Sequence, residues 1–264
     1  MEWPSLLLGT IELRPYVFVF LAVYLTIAIL NMGLVRSIIF TVLAYTIAFI
    51  SEYSSTRNGF PYGFYSYIET TRDKELWISN VPFMDSLSYS FLSYIAYTMA
   101  LFIWSPLKIN RWDIRLVKNA SVKRSLTVIF SGAVFFMLMD VIIDPVAFQG
   151  DRWFLGKIYT YKEQGEYFNI PLTNFLGWLL VGMVILFSFS RVEGWLARVF
   201  PYKQYEIPAK ALLGPGLYFG VLLFNLVVTF YIGEWALGFC GVGLVLSLMW
   251  LINQKIRNPE NFSL

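Results

Sequence analysis

The chain contains no histidine. That absence removes histidine-box desaturases and hydroxylases, Cys/His metal sites, and serine hydrolysis through an imidazole base. Cysteine is nearly absent as well. Cys240 stands alone in an apolar run, so no internal disulfide can form, and it is expected to be a buried packing residue. Charge is scarce: 14% of residues are charged, where a soluble domain carries about 25%. No Gly-rich nucleotide loop occurs. The lysines fall in loops or at the ends of apolar runs, which argues against a retinal-type pigment. The opening stretch MEWPSLLLGTIELRP lacks a basic n-region and a small-residue cleavage site, so the first apolar run is expected to be a mature span.

What the chain does have is apolar runs near the length that crosses a bilayer, about 20 residues. Hydrophobic residues make up 58% and aromatics 19%. Candidate spans are 15–33, 35–53, 86–104, 125–144, 172–190, 211–231 and 235–252. The expected fold class is all-α, a polytopic integral membrane protein of about seven transmembrane helices, with residues 1–264 as a single transmembrane domain. Tight turns near Gly33 and at Gly233–Glu234 join the first and last pairs. The net charge of +3 reflects uneven loops and gives no reason to expect nucleic acid. One side holds 13 of the 20 basic residues: Arg36, six from Lys108 to Arg124 that include Lys118, four from Arg191 to Lys210 that include Lys203, and Lys255 and Arg257. Arg14, Arg57, Arg72, Lys74, Arg152, Lys157 and Lys162 lie on the other. The positive-inside rule then puts the N-terminus outside and the C-terminus in the cytoplasm, across the plasma membrane.

A weak internal repeat runs through the middle. Tyr65-Ser66-Tyr67-Ile68-Glu69 is echoed by Tyr159-Thr160-Tyr161-Lys162-Glu163, and Asn80-Val81-Pro82 through Leu87 by Asn169-Ile170-Pro171 through Leu176. Both copies run the same way through the membrane. Parallel repeats commonly hold a binding site between them.

Acids near hydrocarbon are the informative residues, because an ionised carboxylate there costs about 2.5–3.5 kcal/mol even on insertion scales. Glu52 closes the second span and Asp85 opens the third; Asp140 and Asp144 share one helical face at the end of the fourth. All four fall at the outer side. The plain alternative is interfacial capping: Asp85 follows Pro82 closely enough to be an N-cap, and Pro145 is expected to end the helix and leave Asp144 solvated. Asp140 lies a turn deeper, and Asp140→Asn is expected to abolish turnover. Along the third span, Asp85, Tyr89 and Ser93 recur every four residues beside Ser86, Ser90, Tyr94 and Tyr97, a pattern that lines a cleft or serves interhelical hydrogen bonds. The preceding loop, Asn58 to Tyr65, mixes turn formers with rings. It is either a folded lid or part of an interfacial aromatic belt.

Carboxylic acids among aromatic rings suit one chemistry in particular. A protonated acid delivers a proton to an electron-rich C=C bond, ring faces stabilise the carbocation, and a second carboxylate takes a proton from incoming water. No cofactor and no metal is required.

Three ordered stretches resemble a membrane carotenoid biosynthesis family that includes carotenoid 1,2-hydratase and bisanhydrobacterioruberin hydratase. They are Glu52-Tyr53 with Gly59 to Tyr67 and Val81-Pro82-Phe83; Met139 to Ala147 with Trp153; and Tyr167 to Trp178. The start of the third span, Asp85-Ser86-Leu87-Ser88-Tyr89, is more polar than that pattern and points to a different end group or a divergent subfamily. The resemblance implies addition of water to the terminal double bond of an acyclic carotenoid, giving a tertiary alcohol. The acids themselves, Glu52, Asp85, Asp140 and Asp144, are the catalytic candidates, with Tyr62, Tyr65, Tyr67, Tyr89, Asn174 and Trp178 expected to form the substrate pocket. The expected partners are the lipid bilayer and the carotenoid. Three alternatives stay open: a small membrane lycopene cyclase, which captures the cation with an internal double bond; a prenyltransferase using the DxxxD of Asp140 and Asp144, although a second acidic motif is missing; and a lipid-binding or transport protein.

Overall fold

Hydrocarbon offers no partner to a free amide, so apolar runs of this length close their backbone hydrogen bonds within helices. The computed structural model describes residues 3–117, 119–202, 205 and 207–262. Among them, seven helices are long and apolar enough to cross a membrane. A short helix α1 (Trp3–Leu13) leads into α2 (Pro15–Met32), α3 (Leu34–Asn58), α4 (Phe83–Trp104), the single turn α5 (Ala120–Lys123), α6 (Leu126–Phe148), α7 (Leu172–Val199), α8 (Leu213–Tyr231) and α9 (Trp235–Arg257). The protein is therefore an all-α polytopic membrane protein. Among the described residues, strands occur only as short antiparallel ribbons. β1 (Tyr65–Tyr67) pairs with β6 (Tyr159–Tyr161), β2 (Trp77–Ile78) with β3 (Val81–Pro82), and β4 (Leu107–Asn110) with β5 (Asp113–Leu116). Two basic positions of the charge argument, Lys118 and Lys203, lie outside the described residues.

Helix α4 is the central element, buried along nearly its whole length between α2, α3, α6 and α8. Its hydroxyls tolerate that burial because several bond to their own backbone. Ser90 donates to Leu87 O at 2.5 Å, Ser93 to Tyr89 O at 2.6 Å and Thr98 to Ile95 O at 2.7 Å. The stripe expected to face a cleft therefore splits. Ser90 and Ser93 satisfy themselves, while Asp85 and Tyr89 face a cavity.

Several boundaries differ from the expected ones for local reasons. Helix α3 runs to Asn58 rather than 53 because nothing interrupts the helical pattern until Gly59. Gly59 sits at φ +79°, a left-handed cap that leaves its N–H 3.0 Å from Ser55 O. Helix α6 continues through Pro145 to Phe148 instead of stopping there. Side chains from the following loop take its late carbonyls: Trp153 Nε1 donates to Val146 O at 3.1 Å and the Tyr159 hydroxyl to Asp144 O at 3.2 Å. Asp144 is consequently buried inside the helix rather than solvated at a frayed end. Asp85 is no N-cap either. Pro82 holds that position with extended backbone, and Asp85 is already within the helix. Cys240 is exposed, not buried, because α9 is the most peripheral span and turns that face outward.

The repeat has a physical form. Its two tyrosine motifs are the two strands of one ribbon, in the register Tyr65↔Tyr161, Ser66↔Thr160 and Tyr67↔Tyr159. This register maps onto itself when Tyr65 is exchanged with Tyr159 and Tyr67 with Tyr161, as a two-fold axis through the ribbon requires. The Asn-x-Pro motifs likewise open α4 and α7 with matching backbone, Pro82 at φ −62°, ψ 133° and Pro171 at φ −67°, ψ 144°. Helices α3 and α6 end at the ribbon, and α4 and α7 begin there.

Candidate active site

Beneath the ribbon lies a cavity of about 140 Å³. Nine of the ten residues singled out in the sequence line it: Glu52, Tyr62, Tyr65, Tyr67, Asp85, Tyr89, Asp144, Asn174 and Trp178. Asp140 is the exception. It is 0% exposed and stands behind the wall, reached through Asn174.

Two groups of acids occupy different sides. On the α3–α4 side, Glu52 accepts from the Tyr67 hydroxyl at 3.1 Å and closely from Ser86 Oγ, and Asp85 is the residue before Ser86 in the first turn of α4. On the α6–α7 side, Asp144 Oδ1 accepts from Tyr159 at 2.6 Å, and its Oδ2 from Tyr161 and Asn174, both at 2.9 Å. The Asn174 amide also donates to Asp140 Oδ2 at 2.7 Å, so one side chain ties both aspartates. Asp140 Oδ1 is buried with no partner. A carboxylate offers about four acceptor positions. Three of those on Asp144 are filled, and the one left open is on Oδ1.

The repeat explains this arrangement. Tyr67 on β1 holds Glu52, and its counterpart Tyr161 on β6 holds Asp144. Asp85 and Asn174 occupy equivalent turns of α4 and α7. Tyr89 and Trp178, equivalent again, stack on each other with ring centroids 4.6 Å apart and planes at 18°. Phe136 closes the other face of Trp178, also at 4.6 Å. Close approach is needed here: a Cβ on Gly177 would lie 2.5 Å from the Tyr62 ring, so only glycine lets that ring lie against α7. Of the aromatic loop before β1, Tyr62 and Tyr65 are buried while Phe60 and Phe64 are exposed. The loop is thus part lid and part exposed aromatic surface.

Burial raises the phenols of Tyr62, Tyr65, Tyr67, Tyr159 and Tyr161 well above the usual tyrosine range, and nearby carboxylates reinforce the shift. The ribbon therefore presents protonated hydroxyls to the acids. Toward α2 and α8 the wall is ring-lined: Tyr16 stacks on Phe224 at 5.1 Å, and Phe20 meets Phe91 at 5.9 Å and Phe224 at 5.7 Å.

A second cavity, of about 180 Å³, lies toward the other end of α4. The one carboxylate on its wall among the described residues, Glu193, is 3.5 Å from the Arg36 guanidinium and so already neutralised. Free acid groups converge at the ribbon end.

Comparison with known protein families matches residues 13–248 to the model described as carotenoid biosynthesis protein. The chain belongs to that family. Membership gives it a role in carotenoid biosynthesis, and the match spans every element that builds the cavity. No curated protein and no solved structure matches the chain.

Sequence reasoning passed over several residues of the wall. Tyr159 and Tyr161 were visible only as the echo of Tyr65 and Tyr67; carrying the role of Tyr67 across the repeat identifies Tyr161. Tyr16, Phe20 and Asn225 come from spans that look uniformly apolar, and nothing local marks them.

Proposed function

We propose that the protein is a cofactor-independent hydratase that adds water to the terminal C=C bond of an acyclic carotenoid, giving a tertiary alcohol. The observation that carries this reading is a ring-lined cavity with carboxyl groups contributed by α3, α4 and α6, in a chain of the carotenoid biosynthesis family. A cavity of about 140 Å³ is comparable to one that accepts a benzene ring. It takes the branched end of the chain, while the remaining polyene runs past the rings of α2 and α8 toward lipid.

In the reaction, a carboxyl group of the Glu52–Asp85 wall gives its proton to the less substituted alkene carbon. The π electrons form the new C–H bond and leave a tertiary carbocation on the branched carbon. The stacked faces of Tyr89 and Trp178 stabilise that cation, an interaction worth about 2 kcal/mol in a desolvated site. A water oxygen then bonds to the cationic carbon, and Asp144 takes one of its protons at the open acceptor position on Oδ1. Solvent exchange returns the proton balance between the two walls. Tyr159, Tyr161 and Asn174 fix the Asp144 carboxylate, and Asp140 acts behind them as a positioning residue. The chain works as a single transmembrane domain over residues 1–264 of the plasma membrane, with the N-terminus and the cavity at the outer face; the basic loops at the opposite end support that orientation.

The test is expression in a host that accumulates an acyclic carotenoid, followed by mass analysis of its pigments. Pigment heavier by one water is expected. Unchanged mass with a shifted chromophore would instead indicate cyclisation, and unaltered pigment would end both readings.

A further inference from the structure

One polar side chain on the cavity wall comes from a helix that otherwise contributes only apolar groups. Asn225 on α8 is 7% exposed and lines the cavity. Its Nδ2 donates to Val221 O, one turn back, at 2.9 Å. A carbonyl can only accept, so the atom facing Val221 must be nitrogen, and the orientation of the amide is fixed. The Oδ1 atom has no hydrogen-bond partner, yet it is not among the fully buried unpartnered atoms. It therefore opens into the cavity.

An amide oxygen left without a donor inside a protein is unfavourable. On a wall whose other α2 and α8 groups are Tyr16, Val17, Phe20 and Val221, this amide oxygen has no partner of its own, and it marks where a donor belongs. We infer that Asn225 Oδ1 holds the attacking water. The inference rests on the hydratase reading and deepens it. Helix α8 packs on α6, which carries Asp144. A water between the two side chains donates one O–H to Asp144 Oδ1 and the other to Asn225 Oδ1. Both its protons are then directed away from the cation, and a lone pair faces it. When the C–O bond forms, the proton on the Asp144 side transfers to the carboxylate; the proton on the Asn225 side stays as the product hydroxyl, still donating to the amide. Asn225 thus decides the fate of the cation. With water held, the cation is captured; without it, the cation returns a proton to the carboxylate that made it and becomes alkene again.

The experiment uses the full-length protein in membranes made up in heavy water, with an acyclic carotenoid bearing isopropylidene ends. Two quantities are read: hydrated product, and deuterium in the recovered carotenoid. Addition of a deuteron followed by loss of the original hydrogen, or of one from a methyl on the cationic carbon, labels the alkene without hydrating it. Asn225→Leu is expected to lower hydration by about tenfold or more, the effect of one lost hydrogen bond of about 1.4 kcal/mol, while labelling of the recovered carotenoid persists or rises. Wild-type hydration in Asn225→Leu would overturn the assignment, and so would parallel loss of labelling and hydration. Asn225→Thr and Asn225→Val guard against a folding defect, since they share one shape and differ by an acceptor oxygen. Threonine is expected to hydrate faster than valine, and equal rates would overturn the role. Wild-type protein that neither hydrates nor labels would count against the hydratase reading itself.

Discussion

Asn174 is the joint between the two aspartates, and Asn174→Leu tests the joint with little change in volume. The amide gives one bond of 2.7 Å to Asp140 and one of 2.9 Å to Asp144. Hydrogen bonds to charged groups are worth about 1.5–3 kcal/mol each. The two losses fall on different properties. Asp144 keeps Tyr159 and Tyr161, so its carboxylate stays in place but is less firmly aimed. One such bond, at about 1.4 kcal/mol per factor of ten, predicts a turnover roughly 10- to 100-fold slower with KM little changed. Asp140 loses the one donor it has, and its other oxygen is already without a partner. A fully buried carboxyl stripped in this way costs about 1–3 kcal/mol or more, which lowers the unfolding midpoint in detergent by several degrees, at about 2–4 °C per kcal/mol. The double variant Asn174→Leu with Asp140→Leu removes the orphaned group and separates the effects: thermal stability returns and turnover stays low. The assays are carotenoid conversion per mole of protein and a detergent melting curve. Wild-type turnover in Asn174→Leu would refute the reasoning for Asp144. A double variant no more stable than the single one would refute it for Asp140.

Other perturbations follow from the same contacts. Asp144→Asn is expected to slow hydration by about 10²–10⁴, the range for a lost general base. Asp140→Asn, expected from the sequence alone to abolish turnover, should instead cost clearly less because Asp140 lies off the cavity wall; equal losses in conversion assays would contradict that ranking. Trp178→Leu removes a ring face from the cation and should cost about 30-fold in turnover, from about 2 kcal/mol, with KM measured alongside to exclude a binding defect. The raised Tyr159 and Tyr161 phenols carry a pH signature. Because the folded values lie above the unfolded one of about 10, their contribution to stability is complete below pH ~10 and lost as pH rises through the folded values. Melting curves of Tyr159→Phe/Tyr161→Phe should therefore fall less steeply with alkali than wild type. Arg14 and Glu75 form a buried pair at 3.3 Å. Arg14→Gln should destabilise by about 3–5 kcal/mol, while Arg14→Met/Glu75→Leu should recover most of it in the same melts.

The sequence carried much of the site because burying a carboxyl in hydrocarbon is expensive enough that few spans contain one. Glu52, Asp85 and Asp144 therefore stand out from composition alone, and their convergence follows once the spans are counted. The repeat was legible as two short motifs, but pairing of its copies with each other depends on strand register across 94 positions, and no local signal reports that. Proline statistics misled at Pro145, where Trp153 and Tyr159 supply hydrogen bonds from outside the helix. Capping rules misled at Asp85, where Pro82 already fixes the entry to α4. Arg14 reads as a loop cation until the fold brings Glu75 and the Leu155 carbonyl, the latter at 2.6 Å, against it. Asn225 was invisible for a simpler reason. A single amide in an apolar span is usually satisfied by its own helix, and half of this one is.

The central claim is that carboxyl groups of the protein protonate a carotenoid alkene and direct water to the cation. Purified protein in heavy water, given an acyclic carotenoid, tests it most directly through the site and number of deuterium atoms in the product. The account predicts one hydroxyl on the branched carbon and one carbon-bound deuterium on its chain-side neighbour for each end hydrated. A hydrated product with no carbon-bound deuterium, or deuterated carotenoid with no hydrated product formed at all, would contradict it.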